Sequence, residues 1–89
     1  NPAPLSFPHA GWTLAADVPA GNEALAPILD ELDELVAEAG GRLYFAKDSR
    51  QSPSMVARTY PRLAEWHSVR DQMDPRGVFT SDLGRRLSL

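Results

Sequence analysis

A single lysine, Lys47, follows the apolar run of residues 43–46, and all the other basic residues of the chain are arginine. Two interpretations are open at this position. The ammonium could be partly buried and act as a fixed positive charge, which the larger and forked guanidinium of arginine would not replace. Alternatively, the stem packs on the surface while the ammonium reaches water or pairs with the neighbouring Asp48. The chemistry of the chain depends on which of the two holds.

The remaining reactive side chains form no recognised catalytic constellation. His9 and His67 lie far apart, and neither has the spacing of a zinc or calcium site. Serines occur near Lys47, but without the Gly-x-Ser-x-Gly pattern of a hydrolase, and no glycine-rich phosphate-binding loop is present. We predict no metal site, and we expect the clustered carboxylates of residues 30–34 to be solvated.

The composition is that of an ordinary globular domain. The chain has 89 residues, of which 43% are hydrophobic and 24% charged, and it contains no cysteine. A chain of this size buries only about 60% of its unfolded surface, so a larger neighbour would add to its stability. The absence of a signal-peptide pattern and of an apolar run of about 20 residues indicates a soluble chain. Because residue 1 is Asn1 and not methionine, we expect a piece of a longer gene product.

Charge is divided unevenly along the chain. Residues 1–41 carry seven acids and no base, whereas residues 42–89 carry nine bases and five acids. The arginines stand singly among acids, unlike the basic runs of nucleic-acid-binding segments. We therefore predict no nucleic-acid partner and interpret the arginines as a solvated or interdomain surface.

The elements expected around Lys47 begin with two strands. Three prolines in the first eleven residues predict an extended connector over 1–11. Alternation from Trp12 to Asp17 predicts a first strand, in which Trp12 faces the core. The short apolar segment 42–46 predicts a second strand, which ends at Lys47.

Helices are predicted between and after these strands. Apolar residues at three- and four-residue intervals over 21–41 predict an amphipathic helix with one buried stripe, capped by Asn22 and ended by Gly40 or Gly41. Later helix boundaries are predicted at Ser52 and Pro53, at Pro61, at Asp74 with Pro75, and at Ser81.

Together these elements predict an α+β fold with two strands and about three helices. Its sections are a connector over 1–11, a strand–helix–strand unit over 12–50 and a helical tail over 51–89.

Several motifs occur in a specific order along nearly the whole chain. They are NPAPLSFP, GGRLYFAKDSR, YPRLAEW, VRDQMDPRGVF and SDLGRRL. They resemble the C-terminal end of the decaprenylphosphoryl-β-D-ribose 2′-oxidases, a family within the vanillyl-alcohol-oxidase superfamily, which also includes the aldonolactone oxidases. The resemblance implies an FAD-dependent oxidoreductase that converts the C2 hydroxyl of a polyprenyl-phosphoryl pentose to a ketone, a step in actinobacterial cell-wall arabinan synthesis.

The resemblance also implies an architecture and partners. The chain would be the C-terminal part of the substrate domain of an FAD-linked oxidase, with residues 51–89 returning to an upstream FAD-binding domain. It would be inactive alone. Besides FAD and the lipid-linked substrate, a keto-reductase subunit that completes the epimerisation is implied as a partner.

Four site residues follow from the resemblance, position by position. Lys47 matches the catalytic lysine, which the family holds against both FAD and substrate, and Tyr44 matches a tyrosine that contacts FAD. Thr13 and Ala15 match strand positions that line the substrate pocket, where the family pattern has asparagine and cysteine. With Ala15 in that place, inhibitors that need the cysteine thiol have nothing to react with.

Two alternatives remain beside this interpretation. One is a related flavin oxidase that acts on a soluble sugar or an aldonolactone. The other is a non-enzymatic protein-interaction domain, in which the acidic helix or the arginine-rich half binds another protein and Lys47 has no special role.

Overall fold

Four α-helices and one short 3-10 helix make up the regular structure of residues 3–89, the part of the chain that the computed structural model describes. The α-helices are α1 (Leu25–Glu38), α2 (Pro53–Thr59), α3 (Leu63–Met73) and α4 (Asp82–Leu87), and the 3-10 helix is Phe45–Lys47. Asn1 and Pro2 of the expected connector lie outside the described residues. Among the helices of this part, none has both the length and the apolar character needed to cross a membrane.

The predicted α+β fold with two strands is wrong, because no strand occurs within residues 3–89. In the first expected strand, the Trp12 and Leu14 side chains are 104% and 88% exposed instead of buried. Alternation selects a buried face only where a neighbouring strand supplies hydrogen bonds and apolar surface, and residues 12–18 have no such neighbour here.

The second expected strand, residues 42–46, forms the 3-10 helix Phe45–Lys47 at its C-terminal end. Its backbone bonds are local: the Asp48 amide donates to the Phe45 carbonyl at 3.2 Å. The Phe45 ring stacks on Tyr60, the residue that follows α2, with centroids 4.6 Å apart. Phe45 is therefore packed by this side chain and not by a neighbouring strand.

Most of the predicted helix boundaries are confirmed. The Ser52 hydroxyl accepts from the Met55 amide at 3.1 Å and Pro53 is the first residue of α2, as expected for a capped helix start. The Ser81 hydroxyl accepts from the Gly84 amide at 3.0 Å and caps α4. Pro61 lies in the break between α2 and α3.

Helix α1 differs from its prediction at its start. The N-cap residue is Ala24, which makes no side-chain capping bond. Asn22 instead accepts the Ala24 amide on its side-chain oxygen at 3.0 Å, so it shapes the turn before the helix. The predicted end is confirmed, because Gly40 has φ of 77°, a left-handed conformation that favours glycine.

The predicted buried stripe of α1 is only half covered. Leu25, Leu29 and Val36 are half-buried. Ile28, Leu32 and Leu35, which lie beside them on the helix, remain exposed, and α1 has no fully buried residue. The covered half of the stripe faces the rest of the described chain, and the other half forms an apolar surface.

The buried core lies between α2 and α4. Val56, Tyr60 and Leu87 are all but inaccessible to solvent and pack together. Half-buried side chains that pack against this centre come from the N-terminal segment, the 3-10 helix, α3, α4 and the residue at position 89: Leu5, Phe45, Leu63, Leu83 and Leu89. The core therefore connects the segment around Lys47 to the last helix of the chain.

Arginines after the 3-10 helix pair with the carboxylates of α1, which were expected to be solvated. Arg50 contacts Asp30 at 3.1 Å and Asp33 at 2.7 Å, and Arg58 contacts Glu34 at 2.7 Å. Burial raises the pKa of Asp33, and Arg50 offsets part of this rise. These pairs set α1 beside α2, although exposed ion pairs of this kind contribute little each.

Candidate functional site

Lys47 is the last residue of the 3-10 helix, and its side chain is exposed. Within residues 3–89 its ammonium makes no ion pair or hydrogen bond. Asp48, the partner that the second interpretation of Lys47 offered, pairs with Arg86 instead, with an Nη2–Oδ2 distance of 2.7 Å. The pairing with Asp48 is therefore wrong, and so is the partial burial that the first interpretation expected. Within residues 3–89 the exposed ammonium faces water, as in the other form of the second interpretation.

We call residues 43–48 the lysine turn, and its entry is bound by Tyr60. The Tyr60 hydroxyl donates to the Leu43 carbonyl at 2.7 Å. The Tyr60 ring stacks on Phe45 on one side, and the Arg42 guanidinium lies 5.5 Å from its centroid. Because Tyr60 is fully buried, the backbone just before Lys47 is attached to the core.

The exit of the lysine turn is bound by Asp48 and Arg86. One Asp48 carboxylate oxygen accepts from the backbone amides of Arg50 and Gln51, at 3.1 and 3.0 Å. The other oxygen accepts from Arg86, whose second nitrogen donates to the Gln51 carbonyl at 2.8 Å. The turn is therefore held at its entry by Tyr60, which follows α2, and at its exit by Arg86 of α4.

Electrostatics keep the Asp48 carboxylate ionised. Burial by itself would raise the pKa of Asp48, since its side chain is only 7% exposed. The hydrogen bonds from Arg86 and from the two backbone amides outweigh burial and hold the pKa below its usual range. A carboxylate with several donors around it is a stable anchor for a backbone turn.

Tyr44 also lies in the lysine turn, and its side chain is 52% exposed. The ring of Phe7, from the N-terminal segment, contacts it with centroids 5.1 Å apart. A half-exposed aromatic ring and a cation without a partner in residues 3–89 suit a ligand that has both an aromatic ring and negative charge.

The other two predicted site residues lie elsewhere. Thr13 and Ala15 are exposed in the segment 12–18. In the described part of the chain, no hydrogen bond joins either of them to Tyr44 or Lys47. Tyr44 and Lys47 thus lie on one turn, whereas Thr13 and Ala15 belong to another segment of the chain.

Two open clefts lie away from the lysine turn. One, of about 490 Å³, runs between α1 and α2 and is lined by Asp30, Asp33, Glu34 and Arg50 among others. The second, of about 430 Å³, lies between α3 and α4 and has Trp66, Met73 and Phe79 in its walls. Neither is lined by Lys47. Residues 3–89 also hold no cluster of histidine and carboxylate groups that could bind a metal.

Sequence reasoning missed the residues that hold the lysine turn. Tyr60 was recognisable as an aromatic residue before a helix-breaking proline, a position often buried at a helix end. Arg86 carried no comparable signal, because it lies 38 residues from Asp48 and looks like any other arginine near the end of a short helix.

The profile of the D-arabinono-1,4-lactone oxidase family matches residues 19–87. The chain is 49% identical over all its 89 residues to a protein of Streptomyces coelicolor described as an uncharacterized protein in the mprA 5′ region, and covers 24% of it. It is also 49% identical over its full length to decaprenylphosphoryl-beta-D-ribose oxidase of Mycolicibacterium smegmatis, covering 19% of that protein. Alditol oxidase of a Streptomyces species is 30% identical over 66 residues, which are 74% of this chain and 16% of that enzyme.

The chain spans between 16% and 24% of the length of these relatives. The family profile nevertheless runs through the lysine turn, through α2 and α3, and into the last residue of α4, so it includes every residue that holds the turn. On that match, the chain belongs to the D-arabinono-1,4-lactone oxidase family.

Proposed function

We propose that these residues are the C-terminal part of the substrate domain of an FAD-dependent oxidase of decaprenylphosphoryl-β-D-ribose. The observation that carries the proposal is Lys47, whose exposed ammonium has no partner within residues 3–89 although the turn that bears it is bound at both ends. A lysine on the surface alone needs no such attachment. The likeness to an oxidase of that name supports the substrate.

FAD fits the groups that the lysine turn offers. Tyr44 supplies an aromatic surface supported by Phe7, and Lys47 supplies a positive charge that no carboxylate of the described chain neutralises. Both side chains are exposed and lie within four residues of one another. When bound, FAD supplies the acceptor for the hydride that leaves the substrate carbon.

The role of Lys47 is to stabilise negative charge. A fixed ammonium lowers the energy of a transition state in which negative charge develops nearby, and it acts best when it need not reorganise. The attachment of Leu43 to Tyr60 and of Asp48 to Arg86 fixes the backbone from which the Lys47 side chain departs. The ammonium would also hold a substrate hydroxyl or phosphate oxygen through its three N–H donors.

Thr13 and Ala15 are proposed to line the pentose side of the pocket. Both are small and exposed, so they leave room for a sugar once the segment 12–18 is covered. The Thr13 hydroxyl offers one donor and two acceptor lone pairs for a substrate hydroxyl, whereas the Ala15 methyl offers only apolar contact. The Ala15 side chain has no nucleophile, so covalent inhibitors directed to this position are expected to fail.

The remaining partners belong to the same proposal. An FAD-binding domain in the same gene product would cover the lysine turn, and a keto-reductase subunit would take the ketone onward to the arabinose epimer. The activity requires those parts, so we expect the 89 residues by themselves to turn over no substrate.

Lys47→Ala in the full-length gene product tests this function. We expect the protein to keep its flavin but to reduce it about 10² to 10³ times more slowly on anaerobic addition of polyprenyl-phosphoryl ribose, as for loss of one preorganised charge donor. The rate is read as bleaching of the flavin absorbance. Lys47→Arg should recover only part of the rate, because its charge is spread over a wider fork.

Arg76→Ala is the matched control, since Arg76 is also an exposed cation without an ion pair in residues 3–89. It should leave the rate unchanged. An unaltered rate in Lys47→Ala would remove the catalytic assignment, and a full-length protein that binds no flavin would favour the protein-interaction domain instead.

A second candidate is an oxidase of a soluble sugar alcohol or aldonolactone, which the family profile and the 30% identity to alditol oxidase favour. The same flavin assay separates the two. Bleaching by an alditol or an aldonolactone, with none by the lipid-linked pentose, would move the substrate to this class while leaving the role of Lys47 in place.

A further inference from the structure

Arg86 joins two parts of the chain that are remote in sequence. From the last turn of α4, it donates to the Asp48 carboxylate at 2.7 Å and to the Gln51 carbonyl at 2.8 Å. A third contact, to the Asp48 carbonyl, is 3.4 Å. These acceptors all lie within four residues after Lys47, so the guanidinium binds the backbone at the C-terminal end of the lysine turn.

The position of Arg86 is itself determined by the core. Its neighbour Leu87 is 1% exposed and packs with Val56 and Tyr60. The start of α4 is capped by Ser81, and its short length leaves little freedom between the cap and the buried leucine. The guanidinium is thus presented from a helix that is fixed at both ends.

Other charged groups near the pair do not replace it. Arg85, the adjacent residue, is directed to Asp82 and Thr80 within its own segment. Arg50 contributes its backbone amide to Asp48, while its guanidinium binds Asp30 and Asp33 of α1. Within residues 3–89, Arg86 is therefore the cation that holds the Asp48 carboxylate.

We propose that Arg86 and Asp48 are a positioning pair that sets the direction of the Lys47 ammonium toward the bound cofactor and substrate. The proposal rests on the function proposed above for Lys47. Neither residue touches the reacting atoms: Asp48 follows Lys47 by one peptide bond, and its carboxylate and carbonyl fix the backbone from which the lysine side chain departs. A displacement of about 1 Å in a catalytic group can lower a rate about 10²-fold.

The test uses Arg86→Ala and Asp48→Asn in the full-length flavin-loaded protein. We expect each to reduce flavin with the lipid-linked pentose about 10 to 10² times more slowly, with flavin content unchanged. Asp48→Asn keeps the size of the side chain and an acceptor for the backbone amides, so it carries the test if Arg86→Ala fails to fold. Arg85→Ala is the control and should behave as wild type.

Two readouts separate positioning from a general loss of structure. In a Lys47→Ala background, Arg86→Ala should slow flavin reduction no further, because the group that it positions is already absent. Hydrogen exchange over residues 43–51, measured by mass spectrometry, should become at least about tenfold faster in Arg86→Ala and stay at the wild-type rate in Arg85→Ala. Methylguanidinium added at millimolar concentration should restore part of the rate of Arg86→Ala.

The outcomes distinguish this inference from the function on which it rests. If Lys47→Ala is slow but Arg86→Ala and Asp48→Asn are not, the pair has no positioning role and the proposed function stands. If Arg86→Ala slows flavin reduction by the same factor in the wild-type and Lys47→Ala backgrounds, the positioning role is also overturned. The effect of Arg86 would then not act through Lys47. If Lys47→Ala itself keeps the wild-type rate, the catalytic assignment fails first.

Discussion

Tyr60 determines how the segment before Lys47 is held. Its ring is buried between Phe45 and the core, and its hydroxyl is the donor to the Leu43 carbonyl. Tyr60→Phe keeps the ring and removes the donor, so we expect the free energy of unfolding to fall by about 1 kcal/mol, the usual net value of such a bond. Urea denaturation of the full-length protein measures the loss, with Tyr44→Phe as a matched control that should change little.

The same hydroxyl predicts a dependence on alkaline pH. Burial raises the pKa of Tyr60 to about 12, and the Arg42 guanidinium offsets only part of the rise. In the unfolded chain a tyrosine ionises near pH 10, so the stability from the neutral hydroxyl is complete below about pH 10 and is lost as the pH rises to about 12. Over that interval Tyr60→Phe should lose less stability than wild type. Parallel curves for the two proteins would contradict the buried, neutral hydroxyl.

At the scale of elements, the start of α2 depends on one serine. Ser52→Ala removes the side-chain acceptor of the Met55 amide, and loss of such a cap costs about 1 kcal/mol. We therefore expect native-state hydrogen exchange to show a lower free energy of opening for the amides of α2, by about 1 kcal/mol. Ser49→Ala, an exposed serine outside any helix, is the control. Undiminished protection in Ser52→Ala would show that packing of Met55 and Val56 alone forms this helix.

Local signals account for what the sequence predicted correctly among the elements. Ser52, Ser81 and Gly40 act through hydrogen bonds or dihedral preferences that involve only their near neighbours, so their roles were evident from residue type and order. The prediction of two strands was wrong because strand formation depends on residues that are distant in sequence. Residues 12–17 can form a strand only if another strand lies beside them. The local sequence pattern does not indicate whether such a partner strand is present.

The same contrast between local and long-range determinants applies to the candidate site. Tyr44 and Lys47 were predicted from a resemblance and lie together on one turn, and their roles remain predictions. The residues that hold this turn could not be foreseen, because Arg86 meets Asp48 across 38 positions. Long-range pairing is decided by how helices pack, and packing depends on the whole set of buried side chains.

At the scale of the whole molecule, many large apolar side chains of the described residues are exposed, whereas few are buried. Leu14, Ile28, Leu35, Met73 and Phe79 are each more than half exposed. Exposed apolar side chains that form a patch on a soluble chain often mark a surface that another surface covers. We therefore expect the 89 residues, expressed alone, to bind the dye ANS and to self-associate in sedimentation, whereas the full-length protein does neither.

A paired variant locates the surface responsible for that behaviour. Leu32→Lys together with Leu35→Lys should lower dye binding and association of the 89-residue chain without reducing its helix content, because neither side chain is buried in it. If the unmodified 89 residues are monomeric, dye-free and unfold cooperatively, the exposed stripe of α1 is compatible with water and needs no cover.

The reach of Arg86 back to Asp48 also has a consequence for biosynthesis. A ribosome makes residues 43–48 well before residues 82–87, so the lysine turn and Tyr60 are synthesised before the arginine that binds Asp48. Nascent chains stopped before α4 should therefore carry Lys47 on a turn bound only at its entry. The lysine turn therefore reaches its final form only after α4 has been made and has packed against α2.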